Sequence, residues 1–274
     1  MILDNIYYIG KYISQNYSPF SCYSLSTNCC SFDDEKLQVK INDDFNLVLK
    51  KKLIKIFSKY KIIIFGRIFN QSIGELPDSI VEIVFGDDFN QSVQKLPKSL
   101  KKITFGQNFN HPINNLPDGL EVIQFNFNGN FNHHLNNLPS SLKILNLSNC
   151  YDFNLPIDNL PNSIECLYLS SNYNNPVNSL PNSLKILLFG REFNQSVDNL
   201  PNLLEKITFG QKFNQSINNL PDNIQIIEFF SNKDFNQNIY KLPKNITTLY
   251  ISENKKHLIK CKINENVKLK NDLI

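Results

Sequence analysis

The sequence repeats a frame of 20 or 22 residues along most of its 274-residue length. Each unit contains a Leu-Pro pair, and a Phe-Asn pair, here called the corner, begins seven residues before it. A repeat of fixed length predicts a solenoid, because one such unit cannot bury its own apolar face and must stack on its neighbours. The leucines of the Leu-Pro pairs are Leu76, Leu96, Leu116, Leu138, Leu160, Leu180, Leu200, Leu220 and Leu242. The corner aromatic residues are Phe69, Phe89, Phe109, Phe131, Phe153, Tyr173, Phe193, Phe213 and Phe235.

Positions within a unit are counted from the leucine of the Leu-Pro pair, so that Ile80, Ile83 and Phe85 occupy positions 4, 7 and 9. These positions are apolar in every unit. The alternation at 7 and 9 predicts a short strand with one face inward, and equivalent strands of successive coils stack in parallel. Twenty residues leave no room for a strand, its turns and a helix together. We therefore expect the back of each coil to be extended or 3₁₀, with proline favouring the extended return.

Two polar or small positions recur with this apolar frame. The corner asparagine is expected to form a ladder, because a short amide at a fixed turn can bond the backbone groups that stacking removes from water. Glycine at position 10, as at Gly86 and Gly106, we interpret as freedom for the chain to turn out of the strand. Both features predict structure rather than chemistry.

The corners Phe109-Asn-His-Pro-Ile113 and Phe153-Asn-Leu-Pro-Ile157, with Leu-Pro-x-Ser-Leu at 96–100 and 180–184, resemble the FNIP repeat, which is itself similar to leucine-rich repeats. The resemblance covers residues 62 to about 251. It implies a leucine-rich-repeat-like solenoid with short parallel strands on its concave face, little helix on its back, and a use in protein binding. It implies no catalytic residues.

The chain divides into three segments by these criteria. Residues 62–251 form the repeat solenoid, and residues 252–274 are a lysine-rich C-terminal cap or tail. Residues 1–61 depart from the frame and are expected to form a short helical N-terminal cap, with a degenerate repeat at 39–49. Between Leu49 and Tyr60, apolar residues share one helical face and lysines the other. We interpret this as a capping helix with a solvated face, although such a pattern also fits a membrane surface or nucleic acid.

The stretch from Ile6 to Phe32 has a weak similarity to an F-box, a motif that joins recognition repeats to ubiquitin ligases. No Leu-Pro pair opens this stretch and no tryptophan closes it, and both are departures from that pattern. The similarity implies an alternative function as a substrate-recognition adapter with a Skp1-type partner. Plain capping is the preferred interpretation.

Composition narrows the classes of partner. The formal charge is +3, and the chain holds only two arginines, Arg67 and Arg191, so a general nucleic-acid surface is disfavoured. The start lacks a signal-peptide pattern, and no apolar run is long enough for a bilayer span. The six cysteines have no paired spacing. We expect a cytoplasmic monomer with reduced thiols that binds neither membrane nor nucleic acid.

No recurring group points to chemistry. The pair His133-His134 has no cysteine or carboxylate at ligand spacing, so we expect no metal site. The pairs Asp87-Asp88 and Ser170-Ser171 have no nearby base, so we expect neither an enzyme nor a cofactor.

Positions 6 and 8 point away from the core and vary, so they are where a partner could be recognised. In the middle units they are apolar, and Glu82, Lys102 and Lys206 flank them. An apolar centre with a polar rim is typical of a protein-binding surface. The N-terminal segment or a second copy of the chain could cover it instead. The predicted partner-binding residues are Val122, Gln124, Ile144, Asn146, Cys166, Tyr168, Ile186 and Leu188.

Overall fold

A computed structural model describes residues 29–271, which form one continuous 13-stranded sheet with very little helix. The F-box-like stretch and the helices expected before residue 29 lie almost entirely outside this range. The only elements besides strands are helix α1 (Lys51–Phe57) and a 3₁₀ helix (Glu253–Leu258), within the described range. The strands are β1 (Cys30–Asp33), β2 (Gln38–Ile41), β3 (Ile62–Ile64), β4 (Glu82–Val84), β5 (Lys102–Phe105), β6 (Val122–Phe125), β7 (Ile144–Asn146), β8 (Cys166–Tyr168), β9 (Ile186–Leu188), β10 (Lys206–Phe209), β11 (Ile226–Phe229), β12 (Thr248–Tyr250) and β13 (Lys268–Lys270).

The strands follow one another in chain order across the sheet. Strand β1 pairs with β2 antiparallel, and all later neighbours are parallel. Position 7 residues face one another without a register shift, as Ile83 does with Ile103. The predicted leucine-rich-repeat-like solenoid is therefore confirmed. Its parallel strands run from β2 to β13 and number twelve. Strand β2 belongs to the degenerate repeat at 39–49, strands β3 to β12 to the regular units, and β13 to the lysine-rich C-terminal segment.

The core is a stack of aromatic and aliphatic columns. Corner rings of successive coils lie parallel, for example Phe193 and Phe213 with centroids 6.2 Å apart and planes 3° apart. Position 9 adds a second aromatic column, in which Phe189 packs face to face on Phe193 at 3.7 Å. These rings are buried, and each contributes about 2 to 3 kcal/mol through removal from water.

The corner asparagines form the expected ladder. In most coils the backbone N–H of the corner asparagine donates to the side-chain Oδ1 of its counterpart one coil earlier, as from Asn90 to Asn70 at 2.9 Å and from Asn214 to Asn194 at 2.8 Å. In many coils the next residue, a glutamine, adds a second bond to the same oxygen, such as Gln215 Nε2 at 3.1 Å. The ladder runs from residue 46 to 132 and again from 154 to 236.

The reason for glycine at position 10 is not the turn that the sequence suggests. Gly86 and Gly106 do not have positive φ; among the described glycines only Gly74 does. A Cβ on Gly106 would instead lie 1.8 Å from the carbonyl oxygen of Gly86, and one on Gly190 equally close to the oxygen of Ser170. The coils approach so closely here that no side chain fits between them.

Serine at position 3 ties the coils together on the side where each strand begins. Its hydroxyl donates to the carbonyl of the position 4 residue of the preceding coil, as from Ser99 to Ile80 at 2.7 Å and from Ser163 to Leu142 at 2.7 Å. This bond explains the serine of the Leu-Pro-x-Ser-Leu pattern, because it satisfies a carbonyl outside the strand ladder.

Replacing Asn194 with alanine should lower the free energy of unfolding by about 1 to 3 kcal/mol, because the N–H of Asn214 loses its acceptor and Gln215 Nε2 loses one of its two acceptors. Urea unfolding of the whole chain measures the change. Asn202→Ala is the matched control, since only the backbone oxygen of Asn202 accepts a bond, from Asn223. Equal stability of the two variants would contradict the ladder's contribution.

Gly106→Ala should destabilise the fold by about 1 to 3 kcal/mol or more, because the added methyl overlaps the backbone of the preceding coil. Gly119→Ala makes the same chemical change where the nearest atoms lie 3.6 Å away. Thermal unfolding should show a lowered midpoint for the first variant and an unchanged or slightly raised one for the second. A tolerated Gly106→Ala would mean that the coils are farther apart than the structure has them.

Candidate functional site

The eight predicted partner-binding residues lie together on the concave face in two parallel rows. Position 6 residues of β6 to β9 face one another in register, and so do those at position 8. All eight are half-buried by their strand neighbours. With strands about 4.8 Å apart, the patch is about 15 Å long. The first row consists of Val122, Ile144, Cys166 and Ile186, and the second of Gln124, Asn146, Tyr168 and Leu188.

The polar groups of this patch carry no charge near neutral pH. Burial raises the pKa of the Cys166 thiol, and burial also raises the pKa of Tyr168 to about 12. Gln124 Nε2 donates to Thr104 Oγ1 at 2.9 Å, and Asn146 Oδ1 accepts from the N–H and hydroxyl of Ser148. The patch is therefore neutral, and part of its hydrogen-bonding capacity is already used within the protein.

The charges that flank the patch are paired across neighbouring coils. Lys102 Nζ lies 2.8 Å from the carboxylate of Glu82. At the other end Lys206 lies 2.9 Å from Glu228, which also accepts from Thr208 Oγ1 at 2.8 Å. The sequence placed these residues at the ends of the patch, but it did not show that each charge has a partner one coil away.

A second row of charges borders the concave face at position 5, just before each strand. Glu121 pairs with Lys143 at 2.9 Å and with Lys101 at 3.1 Å, and Glu165 pairs with Lys185 at 2.8 Å. Hydrogen bonds from Lys143 and Lys101 lower the pKa of Glu121, and the bond to Glu165 raises the pKa of Lys185. Sequence reasoning missed this row, although the alternation of Lys and Glu at one position was a visible signal.

The longer units place exposed aromatic side chains at the carboxyl ends of the strands. Phe127, in the loop after β6, is 65% exposed, and Tyr151, in the loop after β7, is 37% exposed. Their rings meet edge to face with centroids 5.7 Å apart. Phe230 is also exposed, in the long loop after β11. Phe127 and Tyr151 therefore lie in the loops that follow two strands of the patch, a feature that the sequence indicated only through the two extra residues of each long unit.

The histidines at the corners take part in the ladder. Nε2 of His111 lies 3.1 Å from the carbonyl oxygen of Asn90, and Nε2 of His133 lies 2.9 Å from that of Asn110. They occupy the place that glutamine holds in other coils. Within residues 29–271, no cluster of three or more His, Cys, Asp or Glu side chains could hold a metal ion. In the same range, none of the helices has the length and apolar character of a bilayer span.

A family profile described as "FNIP Repeat" matches residues 69–108, 92–127, 151–191 and 176–212. The chain is an FNIP repeat-containing protein. The matched residues of this FNIP repeat protein include strands β4, β5, β6, β8, β9 and β10, whereas β7, with Ile144 and Asn146, lies between two of the matches. A search of curated proteins finds no significant match.

Solved leucine-rich repeat structures resemble the FNIP array. CroV588, described as a novel circular leucine-rich repeat protein, is 30% identical over 89% of this chain, with a TM-score of 0.61. The chain spans 44% of the length of CroV588. YopM from Yersinia enterocolitica is 16% identical over 87% of this chain and 64% of its own, with a TM-score of 0.45. A leucine-rich repeat protein from Bacteroides ovatus is 15% identical over 88% of this chain and 97% of its own, with a TM-score of 0.24.

Proposed function

We propose that this FNIP repeat protein is a non-catalytic scaffold that binds a protein partner through its concave face. The observation that carries the proposal is the neutral patch of two side-chain rows on β6 to β9, bounded at each end by an ion pair. Apolar residues at the centre and polar residues at the rim are the arrangement found in protein interfaces. The fold supports the same function, because repeat solenoids of this kind are typical of interaction scaffolds and not of enzymes.

Apolar contact would supply most of the recognition. Glu82 and Lys102 neutralise each other, as do Lys206 and Glu228, so neither pair presents an uncompensated charge to a partner. Tyr168 lies in the middle of the second row, and tyrosine is among the residues that most often dominate binding energy. Phe127 and Tyr151, exposed in the loops after β6 and β7, would offer a partner further apolar area.

The proposed compartment is the cytoplasm. Asn194 begins an Asn-x-Ser sequence that would accept a glycan in a secreted protein. Its side chain accepts the N–H of Asn214 within the ladder, where a bulky sugar would disturb the stacking. Among the described residues the cysteines form no disulfide, as is usual in a reducing compartment; they are Cys29, Cys30, Cys150, Cys166 and Cys261.

Replacing Tyr168 with alanine and Ile186 with aspartate should remove the partner, because one change deletes the largest ring of the patch and the other places a charge in its apolar row. The array carries Glu82, Lys102 and Lys206 at the same position 6, so a charge there is compatible with the strand. We expect proximity labelling of the intact protein to lose its main partners by about tenfold or more.

The matched control is Tyr240→Ala with Leu203→Asp, which makes the same chemical changes at side chains that are 64% and 53% exposed outside the sheet. This control should label the same partners as the wild type, and both double variants should unfold in one cooperative thermal transition, which shows that each is folded. A concave-face variant that folds and retains every partner at wild-type level would contradict the proposal.

A further inference from the structure

Residues 47–61 concentrate positive charge that no acidic residue compensates. The stretch contains six lysines and no aspartate or glutamate. Each lysine is exposed, and within the described chain none forms an ion pair, whereas Lys36 and Lys40 just before them pair with Asp33 and Asp43. The six are Lys50, Lys51, Lys52, Lys55, Lys59 and Lys61.

Two large aliphatic side chains lie exposed beside these lysines. Leu47 is 65% exposed and Val48 is 64% exposed, immediately before helix α1. Their neighbour Leu49 is buried in the core, as is Phe57 at the end of the helix. The segment is therefore anchored to the array while Leu47 and Val48 face solvent, an arrangement that costs free energy unless another surface covers them.

The neighbouring coil packs against residues 47–61 without neutralising their positive charge. A Cβ on Gly74 would lie 3.6 Å from Ile54 Cδ1, so helix α1 packs against that turn. The carboxylates of this coil are engaged with other groups. Glu75 lies 3.8 Å from Lys95, and Asp78 Oδ1 accepts the N–H of Lys98 at 3.0 Å.

We propose that residues 47–61 bind the anionic surface of a lipid bilayer. Leu47 and Val48 insert among the acyl chains, and the lysines contact the negatively charged headgroups. Basic clusters of about four to eight residues beside apolar anchors bind acidic lipids in this way. The return segment of the first coils would then lie on the membrane, while the concave face on the opposite side of those coils stays open.

A lipid surface fits these residues better than a nucleic acid does. Single-stranded nucleic acids are held by stacking on exposed aromatic rings and by arginine, and residues 47–61 contain no arginine. Their two aromatic side chains, Phe57 and Tyr60, are buried, and the Tyr60 hydroxyl donates to Asp34 at 2.7 Å. Exposed aliphatic residues contribute little to binding a polyanion in water, but they bind a bilayer. The sequence alone favoured a solvated capping helix, and the exposure of Leu47 and Val48 is what changes the interpretation.

Co-sedimentation of the whole protein with lipid vesicles tests the proposal. Vesicles of phosphatidylcholine with about 30% phosphatidylserine should bind the protein at least about tenfold more tightly than phosphatidylcholine alone. Lys50→Gln with Lys51→Gln and Lys52→Gln should weaken that binding by about tenfold or more. Leu47→Ser with Val48→Ser should weaken it by about tenfold as well, although it leaves the charge unchanged. Both variants change exposed side chains, so the thermal midpoint should not move.

The matched control removes the same charge from the other end of the array, by Lys241→Gln, Lys260→Gln and Lys262→Gln, which are also exposed. This control should bind vesicles as the wild type does. Equal binding to neutral and anionic vesicles, or an equal loss in the control, would overturn the proposal. So would wild-type vesicle binding by the serine variant, particularly if the protein also bound a single-stranded oligonucleotide as tightly as the vesicles.

Discussion

The structure depends on the hydrogen bond between a backbone N–H of one coil and a side-chain oxygen of the coil before it. Stacking removes water from the corners, where the chain has left the strand and the sheet ladder no longer pairs its amides. Asn70, Asn90 and Asn110 satisfy these groups in turn, each accepting from the next coil while donating to the previous one. Because the bond joins equivalent positions, any insertion must lie elsewhere in the coil. The extra residues of the three long units lie in the loops that carry Phe127, Tyr151 and Phe230, between the strand and the corner. The ladder continues past the first and third of these loops and is interrupted at the second, between Asn132 and Asn154.

Close stacking also explains which parts of the fold the sequence could predict. The strands, the aromatic columns and the ladder follow from residue types that recur at fixed positions, as Phe89 and Asn90 do. The role of glycine could not be predicted, since a close approach between Gly106 and the backbone of Gly86 depends on the distance between coils and not on the sequence of either one. Strand β2 was predicted as part of the degenerate repeat at 39–49, because that coil keeps the corner Phe45-Asn46. Strand β13 was not predicted, because its segment lacks the Leu-Pro and Phe-Asn pairs and keeps only the backbone pairing with β12.

The surfaces likewise have features that follow from periodicity and features that depend on how the coils pack. Positions 6 and 8 could be assigned to the concave face from periodicity alone, and the structure places Ile144, Cys166 and Ile186 side by side there. The ion pair between Glu82 and Lys102 could not be predicted without the register of β4 against β5, which places the two residues opposite each other. The exposure of Leu47 and Val48 could not be predicted from the sequence, because it depends on how helix α1 packs and apolar residues beside an amphipathic segment are ordinarily buried. The array thus offers two surfaces of different chemistry: a neutral face suited to a protein, and a basic segment with aliphatic anchors suited to an acidic membrane.

Side-chain amides accept hydrogen bonds from the corner N–H groups in most coils, and both proposed binding surfaces lie on the stack that results. Amide hydrogen exchange followed by NMR in the intact protein can test this role at the backbone N–H groups of Asn90, Asn110, Asn194 and Asn214. Exchange there should be as slow as that of the strand amides of β5 and β10, since both report opening of the same stack. Exchange at the corners as fast as that of exposed loop amides such as Asn128, with the strands still protected, would contradict it.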